Sequence, residues 1–431
     1  MQAITRTHTS SMFSSGAAGY FLYYGTIAYL LSQFIDGPLR FILESSGAVF
    51  ILYLRDLIPL SVVGIAVGRS IVMRRASRLG LGLAAILVFY SAVGMLLVGD
   101  PFRILFGVKI LLPLMLGLIC DDLFCRNLRG TARLIVYAFA LSCAGIALNL
   151  IVQFPWQGWT YEVGGVRIEG SWLRGAGGFD KLVGFARTSA EAASHVLLLA
   201  IAAITLLRGR LVRAIIWIVA GVAIALTITK TLIVVHIVLT LFLFVRYFAR
   251  RFMPLYRVAF LGVPLALMVA LPLTLSDLDL DYSDPVQFGP FATLADRIEN
   301  AWPDVMGNVK NQGSPLVGLG IGGSGAGEEV LSAEPKAPAD NMFVYLYAWF
   351  GAPALVMILA LYWFSDRLRT SHEHWDLAVF LWLITVACYG ITSVIVESPA
   401  FGIALGMCIA RLSRRCAHEP RSLPREVIPT R

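Results

Sequence analysis

EAASHVLLLAIAAITLLRGRLVRAIIWIVAGVAIALTITKTLIVVHIVLTLFLFVRYFARR, residues 191–251, sets three apolar runs between clusters of arginine. The runs lie near 191–207, 213–228 and 230–248. Each approaches the ~20 residues that carry a helix across a bilayer. Arg208, Arg210 and Arg213 separate the first two, Arg246, Arg250 and Arg251 follow the third, and only Lys230 stands between the second and third. Short loops rich in Lys and Arg are retained in the cytoplasm. The stretch therefore predicts membrane helices with alternating sidedness, the Lys230 connection facing outward.

The same rhythm extends in both directions. Further spans are expected near 16–35, 45–68, 80–98, 103–120 and 133–153, and then near 255–275, 341–364, 376–391 and 393–411. Arg69, Arg74, Arg75 and Arg78 form one inner cluster, and Arg126, Arg129 and Arg133 the next. Arg367 and Arg369 follow later, and the tail carries Arg411, Arg414, Arg415, Arg421 and Arg425. Alternation holds throughout, so both termini are expected in the cytoplasm of a multi-pass inner-membrane protein. Two long connections, 154–190 and 276–340, then face the periplasm.

Composition agrees. Of 431 residues 58% are hydrophobic and 14% charged, where a soluble chain carries about a quarter charged. Mean hydropathy is +0.76. The expected fold class is all-α: a single integral membrane domain over 1–431 with about 12 transmembrane helices. Residues 1–15 lack the apolar core and cleavage site of a secretory signal, so the first span is expected to stay as an anchor. The formal charge of +8 follows topology and gives no support to nucleic-acid binding. The six cysteines avoid the outer loops, which argues against a disulfide framework. Cys120 and Cys125 flank Asp121 and Asp122, but no second pair with ligand spacing follows, and no metal is expected.

The first outer loop concentrates Trp156, Trp159, Tyr161 and Trp172. These suit an interfacial belt or, equally, a platform for the CH faces of sugar rings. The second opens with Asp277, Asp279, Asp281 and Asp284 and reads as a solvated acidic segment, short of a full calcium loop. Arg187 and Lys230 are cations on the side where cations are disfavoured. Arg offers a planar fork and Lys a point charge to phosphate oxygens, and a helix N-terminus beside them would assist. Snorkelling to lipid phosphate is the plainer alternative. Arg297, in ADRIENAW, is a further anion-binding candidate, with a local pair to Asp296 or Glu299 as its alternative. Inside the spans, Asp56 is expected to pair with Arg55 or Lys109, as a core contact or along an ion pathway. His236 reads as a packed core residue and Glu397 as a group near the outer end of the last span.

An arginine ahead of an outward-starting helix, T-x-T-K-T over 227–231, GLGIGGSG over 318–325 and ADNMFVYLYAWFGAPAL over 339–355 together resemble the O-antigen ligase and polysaccharide polymerase superfamily. The likeness covers roughly residues 184–365. It implies a metal-independent membrane glycosyltransferase of glycosyltransferase C-type architecture, acting at the periplasmic face without a cofactor. Its donor would be a glycan on undecaprenyl pyrophosphate, its surroundings the lipid bilayer, its partners a chain-length regulator and a flippase. Arg187 matches the family arginine that engages donor phosphate. Lys230 stands where the family usually has Arg, and Gly318, Gly320, Gly322 and Gly323 match a glycine turn. Asp340 and Asn341 match a pair that is commonly His–Asn in ligases. The implied roles are Asp340 as general base, Asn341 orienting a sugar, Arg187, Lys230 and Arg297 on phosphate, and Trp159 and Trp172 on the glycan. A helix N-cap is the structural alternative for Asp340–Asn341. The missing His favours a polymerase of repeat units for exopolysaccharide, capsule or O-antigen. A ligase comes second and a lipid-linked oligosaccharide flippase or secondary transporter third, since no internal repeat relates the halves.

Overall fold

The computed structural model describes residues 17–48, 50–72, 78–163, 166–169, 181–275, 292–331, 339–369 and 374–417. Over these the chain is an all-helical membrane protein with one short hairpin. Six helices are long and apolar enough to cross a membrane: Phe50–Gly68, Pro101–Cys125, Leu128–Asn149, Ser189–Leu206, Lys230–Phe248 and Met253–Leu275. Gly82–Leu97 and His374–Tyr389 are apolar but shorter.

In chain order the helices are α1 (Ala17–Phe34), α2 (Asp36–Ser45), α3 (Phe50–Val72), α4 (Arg78–Leu97), α5 (Pro101–Arg126) and α6 (Leu128–Asn149). A hairpin of β1 (Thr160–Val163) and β2 (Val166–Glu169) pairs Thr160 with Glu169 and Val163 with Val166. Then come α7 (Ser189–Leu206), α8 (Arg210–Leu226), α9 (Lys230–Phe248) and α10 (Met253–Leu275), the last with a π turn over Val258–Gly262. The second half adds α11 (292–312), α12 (Ala326–Leu331), α13 (Met342–Phe350), α14 (Pro353–Arg369), α15 (His374–Tyr389) and α16 (Pro399–Ala417).

The most intimate pairing joins α5 and α16. A Cβ on Gly406 would fall on the Leu114 carbonyl, and one on Gly117 on the Ile403 carbonyl. Small residues four apart, Gly402 and Gly406, let the two backbones touch, which is how packing and not hydrophobicity associates helices in lipid.

Two expectations need correction. The apolar run 341–364 is two helices, α13 and α14, because Gly351 adopts φ +65° and its backbone abuts Gly318. The connection 276–340 is also far from a uniformly solvated segment. Within it α11 packs inward through Trp302, Val305 and Val309, all buried, each such side chain contributing roughly 2 kcal/mol. Its aspartates Asp277, Asp279, Asp281 and Asp284 lie outside the described residues.

The glycine stretch 318–325 is buried and threads between α4, α5 and α13. Leu319 N–H donates to the Ala348 carbonyl at 2.7 Å, Gly320 N–H to Trp349 at 3.1 Å and Ile321 N–H to Tyr90 at 3.0 Å. At Gly320, φ is +82° and a Cβ would collide with the Gly94 backbone. Only glycine fits a strand of chain laid this close to two helices.

Candidate functional site

Four of the residues singled out above, Arg187, Lys230, Arg297 and Asp340, gather at one end of the bundle, around the turn that follows α15. Met342 N–H donates to the Gly390 carbonyl at 2.8 Å. Thr231, beside Lys230 at the start of α9, meets Thr392 hydroxyl to hydroxyl at 3.0 Å. The charges of Asp340, Arg297 and Glu191 all act on Tyr389, the last residue of α15. The N-termini of α7, α9 and α13 therefore converge on 389–392, and their macrodipoles add positive potential there.

Arg187 is held by a turn that the preceding loop braces. The Asn149 carboxamide oxygen accepts Val183 N–H at 3.0 Å and Gly184 N–H at 3.2 Å. The Trp156 indole donates to the Gly184 carbonyl at 3.1 Å and stacks on Phe154, and Gly37 N–H donates to the Phe185 carbonyl. Thr188 then caps α7, accepting Glu191 N–H at 3.1 Å. The Arg187 guanidinium meets Glu191 at 3.1 Å and stays about a third exposed. Beneath it lies Asp36; burial opposes its charge, but Arg40 and Arg55 outweigh that and hold its carboxyl down at about 2.

Asp340 does not cap a helix. Asn341 does, its side-chain oxygen accepting Val344 N–H at 3.1 Å. The Asn341 amide donates to the carbonyls of Met268 at 3.1 Å and Ile391 at 3.0 Å. With 0% exposure and both amide protons donated, Asn341 ties α13 to α10 and to the central turn.

Asp340 instead pairs across the fold with Arg297, whose Nε and Nη2 lie 3.0 and 2.9 Å from Oδ2. Among the described residues no hydrogen bond falls on Oδ1. The local alternatives for Arg297 give way: Asp296 accepts from the Asn300 amide at 2.9 Å. Arg297 itself opens a π turn, Arg297–Ala301, of the kind found at functional sites.

Backbone strain marks the same place. Among the described residues only Ile228 (φ +55°) and Asp340 (φ +43°) lie in the left-handed region without being glycine. For a β-branched residue this is a genuine outlier, and such strain costs of order 1–3 kcal/mol. One precedes Lys230 by two residues; the other is the proposed base.

Lys230 is exposed at the first position of α9. Trp159 packs edge-on against Phe41 of α2, with 5.4 Å between ring centroids. Trp172 lies outside the described residues. Sequence reasoning passed over Glu191, although its i, i+4 spacing from Arg187 was a readable signal, and Tyr389, for which no local signal exists. Glu397 sits on the neighbouring side of this end, accepting Ala326 N–H at 2.8 Å. No cluster with metal-ligand character occurs among the described residues. Comparison with protein-family models, with curated proteins and with solved structures returns no match to this chain.

Proposed function

We propose that this chain is a glycosyltransferase of the inner membrane that polymerises undecaprenyl-pyrophosphate-linked repeat units at the periplasmic face. The observation that carries the reading is the convergence of Arg187, Lys230 and the Arg297–Asp340 pair on one turn, with strain stored at Asp340. Cationic forks and helix N-termini suit a pyrophosphate leaving group, whose developing charge they would stabilise. Among the described residues Asp340 makes no hydrogen bond through Oδ1, while Arg297 fixes the carboxylate through Oδ2. That is the geometry of a carboxylate that accepts the proton of an attacking sugar hydroxyl. The acceptor oxygen would bond to the anomeric carbon as the bond to pyrophosphate breaks. The proton would pass to Asp340.

Deleting the gene and following both the surface polysaccharide and its lipid-linked intermediates tests the reading. Single repeat units on the outer face with no long polymer are expected. Long polymer left on its carrier would mean a ligase, and repeat units trapped on the inner face a flippase.

A further inference from the structure

Outside that site, the interior of the bundle holds a cavity of about 90 Å³ between α1, α5, α6, α7, α15 and α16. Each of the last four helices lines it over about two turns, as from His195 to Ala202 on α7 and from Trp375 to Trp382 on α15. The cavity therefore runs roughly 10 Å along the helix axes. Its wall is aliphatic and aromatic, and most of the lining side chains are buried.

Four side chains in this wall carry a hydrogen-bonding group: Thr131, His195, Trp375 and Trp382. Three are satisfied within the protein. The Thr131 hydroxyl donates to the Phe124 carbonyl at 3.2 Å, the Trp375 indole to Asp121 at 2.7 Å and the Trp382 indole to the Leu198 carbonyl at 3.1 Å. His195 is 4% exposed, and among the described residues no hydrogen bond falls on its ring. Phe34 meets that ring edge-on, 4.9 Å between centroids. The charges of Glu191 and Asp36 reach it, but those carboxylates are engaged by Arg187 and by Arg40 and Arg55. An imidazole can both donate and accept, and leaving it buried without a partner is costly. Water is a poor remedy, because a buried water needs about two to four polar partners and this wall offers His195 alone.

We propose that this cavity binds a single-chain aliphatic amphiphile of the alcohol class, its hydroxyl on His195 and its chain along the cavity axis. A run of roughly 10 Å takes about eight extended carbons. The apolar wall selects the chain, and the one unsatisfied polar group selects a small neutral head. A charged head would find no counterion in the wall. The tail of a bilayer phospholipid would fill the apolar part but bring only a methyl group to His195. The proposal rests on the helical bundle and is independent of the glycosyltransferase reading.

The test uses the full chain in phosphatidylcholine nanodiscs, photolabelled with a diazirine-bearing octanol whose attachment sites are mapped by mass spectrometry. Saturable labelling of cavity residues on α7, α15 and α16 is expected. At equal membrane concentrations 1-octanol should displace the label about tenfold more effectively than n-octane, the effect of one hydrogen bond. His195→Phe keeps an apolar ring and should abolish that difference, whereas His195→Gln, which still donates and accepts, should keep it. Ala202→Leu fills the void and should remove the labelling while thermal stability stays at or above that of wild type. Labelling confined to the lipid-facing surface, or equal displacement by the two competitors, would overturn the proposal. So would undiminished cavity labelling in Ala202→Leu. The two competitors are compared on wild type, so the proposal can fail even where a variant does not fold.

Discussion

The two ends of the bundle hold charge in opposite ways. Where α5, α15 and α16 meet, Asp376 receives both Arg411 and Arg415, and Asp121 receives Arg414 together with the Trp375 indole at 2.7 Å. Arg414 reaches Asp122 as well, at 3.3 Å. The carboxylates of Asp121 and Asp376 are wholly buried. At the other end, the Arg297–Asp340 and Arg187–Glu191 pairs stay partly open to solvent, Lys230 is exposed and the backbone is strained. Those two are sealed from solvent; the carboxylates of the second set, Asp340 above all, are reached by it. Both ends use the same residue types, so what separates a clamp from the candidate site is the burial of the carboxylates, not composition.

The largest effect should come from breaking the clamp. Asp376→Asn removes the carboxylate that serves two guanidiniums, and losing one partner of a buried pair costs about 3–5 kcal/mol. A collapse of folded yield and thermal stability in detergent is expected, whatever the activity; a variant of normal stability would refute the clamp. Asp340→Asn should do the reverse. Asn tolerates the left-handed backbone, and an exposed pair is worth only about 0–1 kcal/mol, so melting should barely move. Polymer formation from lipid-linked units should fall by about 10²–10⁴, the contribution of a general base. Full synthesis in this variant would remove Asp340 from the chemistry.

Arg187→Lys keeps the charge and loses the fork. Roughly tenfold weaker use of lipid-linked donor, at one bidentate contact's worth of free energy, is expected with the fold intact. The mildest variant is Lys230→Arg, which supplies the residue usual in the resembled family. Turnover within a factor of about three of wild type would show that charge alone is used there; a larger gain would show that a fork is wanted.

Much of this was legible in the sequence because a bilayer imposes length and hydropathy on each crossing. The runs at 191–207 and 230–248 came through with almost unchanged limits as α7 and α9. The division at Gly351 was hidden, since MFVYLYAWFGAPALVMILALYWF is apolar straight through it. Only the approach of Gly318, far away in the chain, explains the break. The site was half readable. Arg187 and Lys230 announced themselves as cations in connections expected to face outward. The partner of Asp340 lies 43 positions away, and the commitment of Asn341 to carbonyls of Met268 and Ile391 needs three separate segments to be in place. Contacts of that kind belong to tertiary structure and leave no local trace.

The buried glycine stretch carries a consequence for biogenesis. The Tyr90 hydroxyl donates to the Phe350 carbonyl across 260 positions, and 318–325 lies between those partners. At about 5–20 residues per second, α4 leaves the ribosome roughly 13–50 s before its cover exists. During that interval the groove above Gly94 stands without the segment that fills it, whose own N–H groups must find acceptors inside a membrane that supplies no substitutes. A side chain added at Gly320 would therefore act during assembly, as chains that insert but never close.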